Sequence, residues 1–184
     1  MSLFQIDYLS STIWYMWVIN YLSFLILLSN IGFGLTILFW SRVSKKLAAH
    51  ALDLAIFLSV FATSGSLYLS NVLLIPPCEL CWFQRIFMYP LVFILVAAKI
   101  RKTPKIWEIV LPLSVFGAAI AAYHYYLQFA PNASSVCGIV GVSVSCTERT
   151  FVHYGYITIP WMSLTAFVYI TTLMLILGKR DVLK

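Results

Sequence analysis

The sequence predicts an all-α integral membrane protein: a four-helix transmembrane bundle plus one extra N-terminal transmembrane helix. Three observations predict it. Of the 184 residues, 62% are hydrophobic and only 10% are charged. Mean hydropathy is +0.94, and a soluble domain of this size has too little interior to hide so many apolar side chains. The cations are clustered: Arg42, Lys45 and Lys46; Lys99, Arg101, Lys102 and Lys105; Lys179, Arg180 and Lys184. Each cluster flanks a long apolar run, the pattern of cytoplasmic loops under the positive-inside rule. That distribution argues against nucleic acid as the reason for a net charge of +6.

A spanning helix needs about 20 mostly apolar residues. Tyr8 to Ser41 holds no charged residue, and its core, about 17–40, is the first expected span. No Lys or Arg precedes it, so it reads as a retained helix rather than a cleaved signal. Residues 1–46 form an N-terminal extension in this reading, and 47–184 form the bundle. Its spans are expected at about 51–74, 81–98, 106–129 and 156–177. Ile75-Pro76-Pro77 should end the first of these, because proline lacks a backbone donor and restricts the residue before it. The uncharged run Ile86–Ala98 is short, and a full span there must start near Cys81 and include Arg85. Five spans put all three cationic clusters on one side and all four cysteines on the other.

The chemistry concentrates in Cys78-Glu79-Leu80-Cys81-Trp82-Phe83-Gln84-Arg85. A C-x-x-C brings two thiols close enough for reversible disulfide exchange. Here it sits at a helix start, where unpaired N–H groups and the helix dipole favour a thiolate. Cys81 lies further into that helix and is expected to be the more acidic. Arg85 is one turn on, roughly 6 Å along the axis, where a cation adds to the effect and can donate to a carbonyl acceptor. An arginine within a span is costly, which favours a function over simple snorkelling to lipid phosphate. Glu79 reads as an exposed loop residue without a role. Trp82 follows the second cysteine, so the motif is not the haem-attaching C-x-x-C-H.

Cys137 and Cys146 lie in the second large outer segment. Two pairs on one face permit a relay through mixed disulfides; a plain loop staple is the simpler alternative. His124, among Tyr123, Tyr125 and Tyr126 near the outer end of the fourth span, is either an interfacial histidine or a proton partner for a quinone.

The combination C-x-L-C-x-x-x-R between two spans, followed by Met88-Tyr89-Pro90, a second outer pair and Thr158-Ile159-Pro160, resembles the DsbB family of disulfide-bond formation proteins, in its short BdbC-type branch. The resemblance covers about residues 50–180. It implies a membrane thiol:quinone oxidoreductase that reoxidises an extracytoplasmic thioredoxin-fold, DsbA-like thiol oxidase. It implies that Cys78 and Cys81 form the pair reoxidised by quinone, ubiquinone or menaquinone, with Cys81 against the ring. Arg85 and His124 would line the quinone site. Cys137 and Cys146 would face the partner, Cys137 forming the mixed disulfide. It also implies a multi-pass protein of the bacterial cytoplasmic membrane, with extracytoplasmic cysteine loops, a cytoplasmic C-terminus and no resident metal. The extra N-terminal helix and the short spacing between Cys137 and Cys146 depart from the family pattern. A vitamin K epoxide reductase-like protein also couples C-x-x-C to a quinone-type ring, but its motif is expected near a late helix. A non-catalytic metal-binding or assembly protein with four thiolates is the alternative from another class. A channel subunit is disfavoured by the scarcity of charge within the spans.

Overall fold

The computed structural model describes residues 20–21, 23–28, 30–32, 40–130, 146, 152 and 154–182. Four long helices carry the fold: α1 (Trp40–Asn71), α2 (Glu79–Arg101), α3 (Trp107–Phe129) and α4 (Ile159–Val182). Each contains a stretch long and apolar enough to cross a membrane. Phe57 on α1, Phe93 on α2 and Phe116 on α3 are 65%, 75% and 62% exposed. Large apolar side chains displayed so fully on three helices require lipid rather than water around them.

The helices form a ring. α4 packs against α3 and α1, α2 packs against α3 and α1, and α2 barely touches α4 across the bundle. At the centre Leu91, Leu95, Val110, Phe167, Ile170 and Met174 are buried around Ala51, Ala55 and Ala121. Small residues let helices approach closely where lipid removes the usual hydrophobic drive to associate. Gly117 is the sharpest case, because the ring of Phe167 occupies the space a Cβ would need. Thr171 Oγ1 donates to Ser114 Oγ at 3.0 Å along the same seam.

The cationic end is closed by backbone geometry. Lys102 adopts φ 51°, its N–H reaching Lys99 O. Thr103 N–H reaches Ala98 O at 3.0 Å, the paired bonds of a Schellman ending. Asp53 on α1 pairs with Lys99 on α2, and Arg180 Nη1 donates to Ala48 O at 2.9 Å. Pro160 stands at the second position of α4, where its missing N–H is harmless.

Several expected boundaries shift. The helix expected at 51–74 begins at Trp40, a residue placed at the end of the preceding span, and stops at Asn71. It stops before the prolines because Leu74 takes φ 53°. Leu73 N–H and Ile75 N–H then fold back onto Tyr68 O and Leu69 O. The other three spans agree with expectation to within a few residues. Ahead of the bundle, the described residues between 20 and 32 are helical. The stretch Ser23–Gly32 is shorter than a crossing, so the expected extra span over 17–40 is not established.

Candidate thiol redox site

The motif folds as its sequence dictates. Cys78 has extended backbone (φ −72°, ψ 172°) and caps α2, and its carbonyl accepts the first helical bond from Trp82 N–H at 3.1 Å. One turn of helix then brings Cys81 back over it, with the two sulfurs 3.0 Å apart and both cysteines free. From α3, His124 is 2% exposed and presents Nε2 3.6 Å from Cys78 Sγ. Its Nδ1 lies 3.0 Å from Gln84 Nε2. In this amide orientation Gln84 donates, so a neutral His124 carries its proton on Nε2, facing the sulfur.

These donors hold the Cys78 thiol down, at about 4. The hydrogen bond from Cys81 contributes most, burial opposes it, and the contact with His124 lowers it further. The sequence placed the more acidic thiol at Cys81, from its position in the helix and from Arg85 one turn on. In the structure Cys78 is the thiol held down: Cys81 of the same motif donates to it, and His124 reaches it from α3, a contact that spacing along one helix does not contain.

Arg85 turns the hydrogen bonds of its guanidinium onto α1. Nε donates to Ser66 Oγ at 3.0 Å, and Nη2 donates to Ser66 O and Ser70 Oγ at 3.2 and 3.1 Å. The group also stacks over Trp82, 5.3 Å from its ring centroid. Three bonds into α1 fix its position and offset the cost of a half-buried cation within the bundle. Nη1 makes no hydrogen bond among the described residues.

Cys78, Cys81, Arg85 and His124 all border one cavity of 390 Å³. Its remaining walls are mostly apolar, among them Phe57, Phe61, Met88 and Ile159. Size and lining suit a flat organic ring with an apolar tail, with a few convergent polar groups at one end. The sulfurs of Cys78 and Cys81 and a ring nitrogen of His124 lie within 4.8 Å of one another. While reduced, these atoms have the softness and spacing to hold a soft cation.

The loop pair is described only in part. Cys146 is buried, disulfide-bonded, and packed with Cys78, Leu80 and Leu127 in one small cluster. A disulfide at Cys146 removes it from any four-thiolate metal site. Cys137 lies outside the described residues. Glu79, expected to be exposed, is 6% exposed at the first position of α2, where a carboxylate faces the positive end of the helix. Gln84, Ser66 and Ser70 went unassigned in the sequence. Gln84 carried a signal, a polar side chain inside an apolar span; the serines carried none, since only tertiary packing pairs them with Arg85.

A thiol pair capping a helix at the mouth of an apolar cavity, inside a bundle that faces lipid, defines a membrane-embedded thiol–disulfide oxidoreductase. The chain belongs to the DsbB family: the family profile for "Disulfide bond formation protein DsbB" matches residues 48–177. It is 39% identical over 136 residues to "Probable disulfide formation protein C 1" of Bacillus anthracis, covering 74% of this chain and 97% of that protein. It is 40% identical over 124 residues to "Disulfide bond formation protein C" of Bacillus subtilis (strain 168), covering 67% and 89%. A "Probable disulfide formation protein" of Coxiella burnetii is 37% identical over 126 residues, covering 67% and 84%. No solved structure matches the chain.

Proposed function

We propose that the protein takes two electrons from an extracytoplasmic thioredoxin-fold dithiol and delivers them to a membrane quinone. The observation that carries this reading is the cavity that joins Cys78 and Cys81 to Arg85 and His124 within the membrane bundle. The cysteine end would face the exterior of a bacterial cytoplasmic membrane. The end bearing Lys99, Lys179 and Arg180 would face the cytoplasm, together with the C-terminus, as the positive-inside rule requires.

The steps balance as thiol–disulfide exchange. A partner thiolate attacks Cys137 of an oxidised Cys137–Cys146 pair, and Cys146 leaves. The second partner thiol attacks the mixed disulfide, so the partner is oxidised and Cys137 is released. Cys146 next attacks Cys78 of an oxidised Cys78–Cys81 pair, and Cys81 leaves. Their packing in one cluster supports this contact. Cys137 then attacks Cys146, and Cys78 leaves as the thiolate that Cys81 and His124 stabilise. Its low pKa makes it a good leaving group. The result is an oxidised loop pair beside a reduced Cys78–Cys81 pair.

A bound quinone, ubiquinone or menaquinone, supplies a two-electron, two-proton acceptor. The residues present fit it: Arg85 Nη1 is available to donate to a carbonyl oxygen, and His124 holds a proton on Nε2 beside the sulfurs. Cys81, which borders the cavity, would give up its electrons as the Cys78–Cys81 disulfide re-forms.

The test is single-turnover quinone reduction by the purified protein with a reduced thioredoxin-fold donor. Reduction that is lost in Cys81→Ser supports the reading; no reduction with either quinone class rejects it. A second reading, a soft-metal carrier, rests on the Cys78–Cys81–His124 grouping. Stoichiometric zinc or copper in the isolated protein, with both thiols reduced, would favour it.

A further inference from the structure

The helical residues ahead of the bundle are two-faced. Tyr21, Phe24, Leu28 and Ile31 are 45% exposed or more, on a stripe spaced three and four residues apart. The opposite stripe is Ser23, Ile26 and Asn30. Ser23 is fully buried, and Asn30 Oδ1 accepts a hydrogen bond from Tyr169 Oη of α4 at 2.9 Å. The described residues thus present one exposed apolar face and one face packed on protein through small and polar residues, as membrane helices commonly do.

Tyr169 itself borders the cavity beside the cysteines, and so do Leu25 and Ile26. The segment therefore supplies part of the wall, next to side chains of α1 and α4. It lies ahead of the family match, which begins at residue 48. The 136 residues aligned with the Bacillus anthracis relative already take in 97% of that protein.

We propose that this segment is a side wall of the electron-acceptor cavity, pinned to the bundle by Asn30 and Tyr169. Ile26 and Leu25 would then set which quinone tails fit and how firmly they are retained. The inference rests on the quinone reading above and adds specificity determinants outside the family core. Because the wall is apolar, its contact is with the apolar tail; the carbonyl end stays with Arg85 and His124. Removing or enlarging a wall residue should change quinone binding without changing exchange with the thiol donor, which happens at the cysteine end.

The experiment uses the full chain in lipid vesicles with saturating thiol donor. KM and kcat are measured for a short-chain quinone and for one with a full tail. Ile26→Trp, which projects bulk into the cavity, is expected to raise the KM for the full-tail quinone about tenfold, the usual scale of overpacking. The KM for the thiol donor should stay within about twofold. Ile26→Ala, which cannot clash, should raise the same quinone KM about threefold, as loss of buried methylenes does. Leu28→Trp, on the lipid-facing stripe, should leave every constant unchanged. Equal effects at 26 and 28, or none at 26, would overturn the proposal. A photo-crosslinking phenylalanine analogue at position 26 tests the wall independently of turnover: crosslinks to α1 or α4 are expected there, and crosslinks to lipid alone from position 28. If the wild type reduces no quinone but position 26 crosslinks to the bundle, the functional reading fails and the wall stands. If position 26 crosslinks only to lipid, the wall fails whatever the turnover.

Discussion

The two ends of the bundle are built on opposite principles. At the cationic end, apolar side chains interdigitate around alanines, the helices are tied by Asp53–Lys99 and Arg180–Ala48, and a Schellman turn closes α2. At the cysteine end the helices part around a 390 Å³ cavity, and polar side chains are spent on one another: Gln84 on His124, His124 on Cys78, Arg85 on Ser66 and Ser70. The first end carries stability and the second reactivity. Open volume and ordered polar groups weaken a fold, and the well-packed half allows the other half to tolerate them.

Substitutions can sharpen or break that division. The largest effect is expected at Cys81: Cys81→Ser should abolish electron transfer to quinone in single turnover while leaving the thermal midpoint within a few degrees of wild type. A large drop in that midpoint would mean the two ends are not separable. Gly117→Ala tests the packed half. Phe167 is fully buried and has nowhere to retreat, so stability should fall by about 1–3 kcal/mol, read from chemical denaturation in detergent. Turnover of the folded fraction should persist.

Arg85→Met should raise the quinone KM by about tenfold, corresponding to the loss of a charged hydrogen bond. Arg85→Lys should not restore it, because an ammonium cannot bridge Ser66 and Ser70 as the planar fork does. Alkylation of the reduced protein against pH examines Cys78. Its pKa near 4 means the thiolate persists through neutral and mildly acidic pH and is lost only as pH falls through about 4. His124→Phe removes one donor and should move that profile upward; Cys81→Ala, which removes the main donor, should move it further. The smallest effect belongs to Asp53→Asn. The Asp53–Lys99 pair is half exposed on both sides, so its loss should cost about 0.5 kcal/mol or less and leave turnover unchanged.

How much of this was legible in the sequence depends on the distance over which each feature is written. Apolar run lengths and the cationic clusters located four helices, and α2 extends the expected 81–98 by only two or three residues at each end. The C-x-x-C and its arginine were readable because all three sit within two turns of one helix. The partners of that motif come from elsewhere: His124 is 46 residues from Cys78, and Ser66 is 19 residues from Arg85. Periodicity within one helix says which face a residue occupies but not which helix meets it. The low pKa of Cys78 was therefore only partly legible: its main donor, Cys81, is in the motif, but His124 reaches it from α3. Glu79 was misplaced for a related reason. A carboxylate beside two prolines looks like loop surface until the first turn of α2 folds it inward.

The cluster of Leu80 and Leu127 around Cys78 and Cys146 has a consequence for leakage. Cys78 and Cys146 are 5% and 1% exposed, so small thiols in the surrounding water meet hydrocarbon before they meet sulfur. On the proposed route, electrons would enter where a protein partner docks and leave where the cavity opens, and this burial would insulate Cys78 and Cys146 from low-molecular-weight reductants.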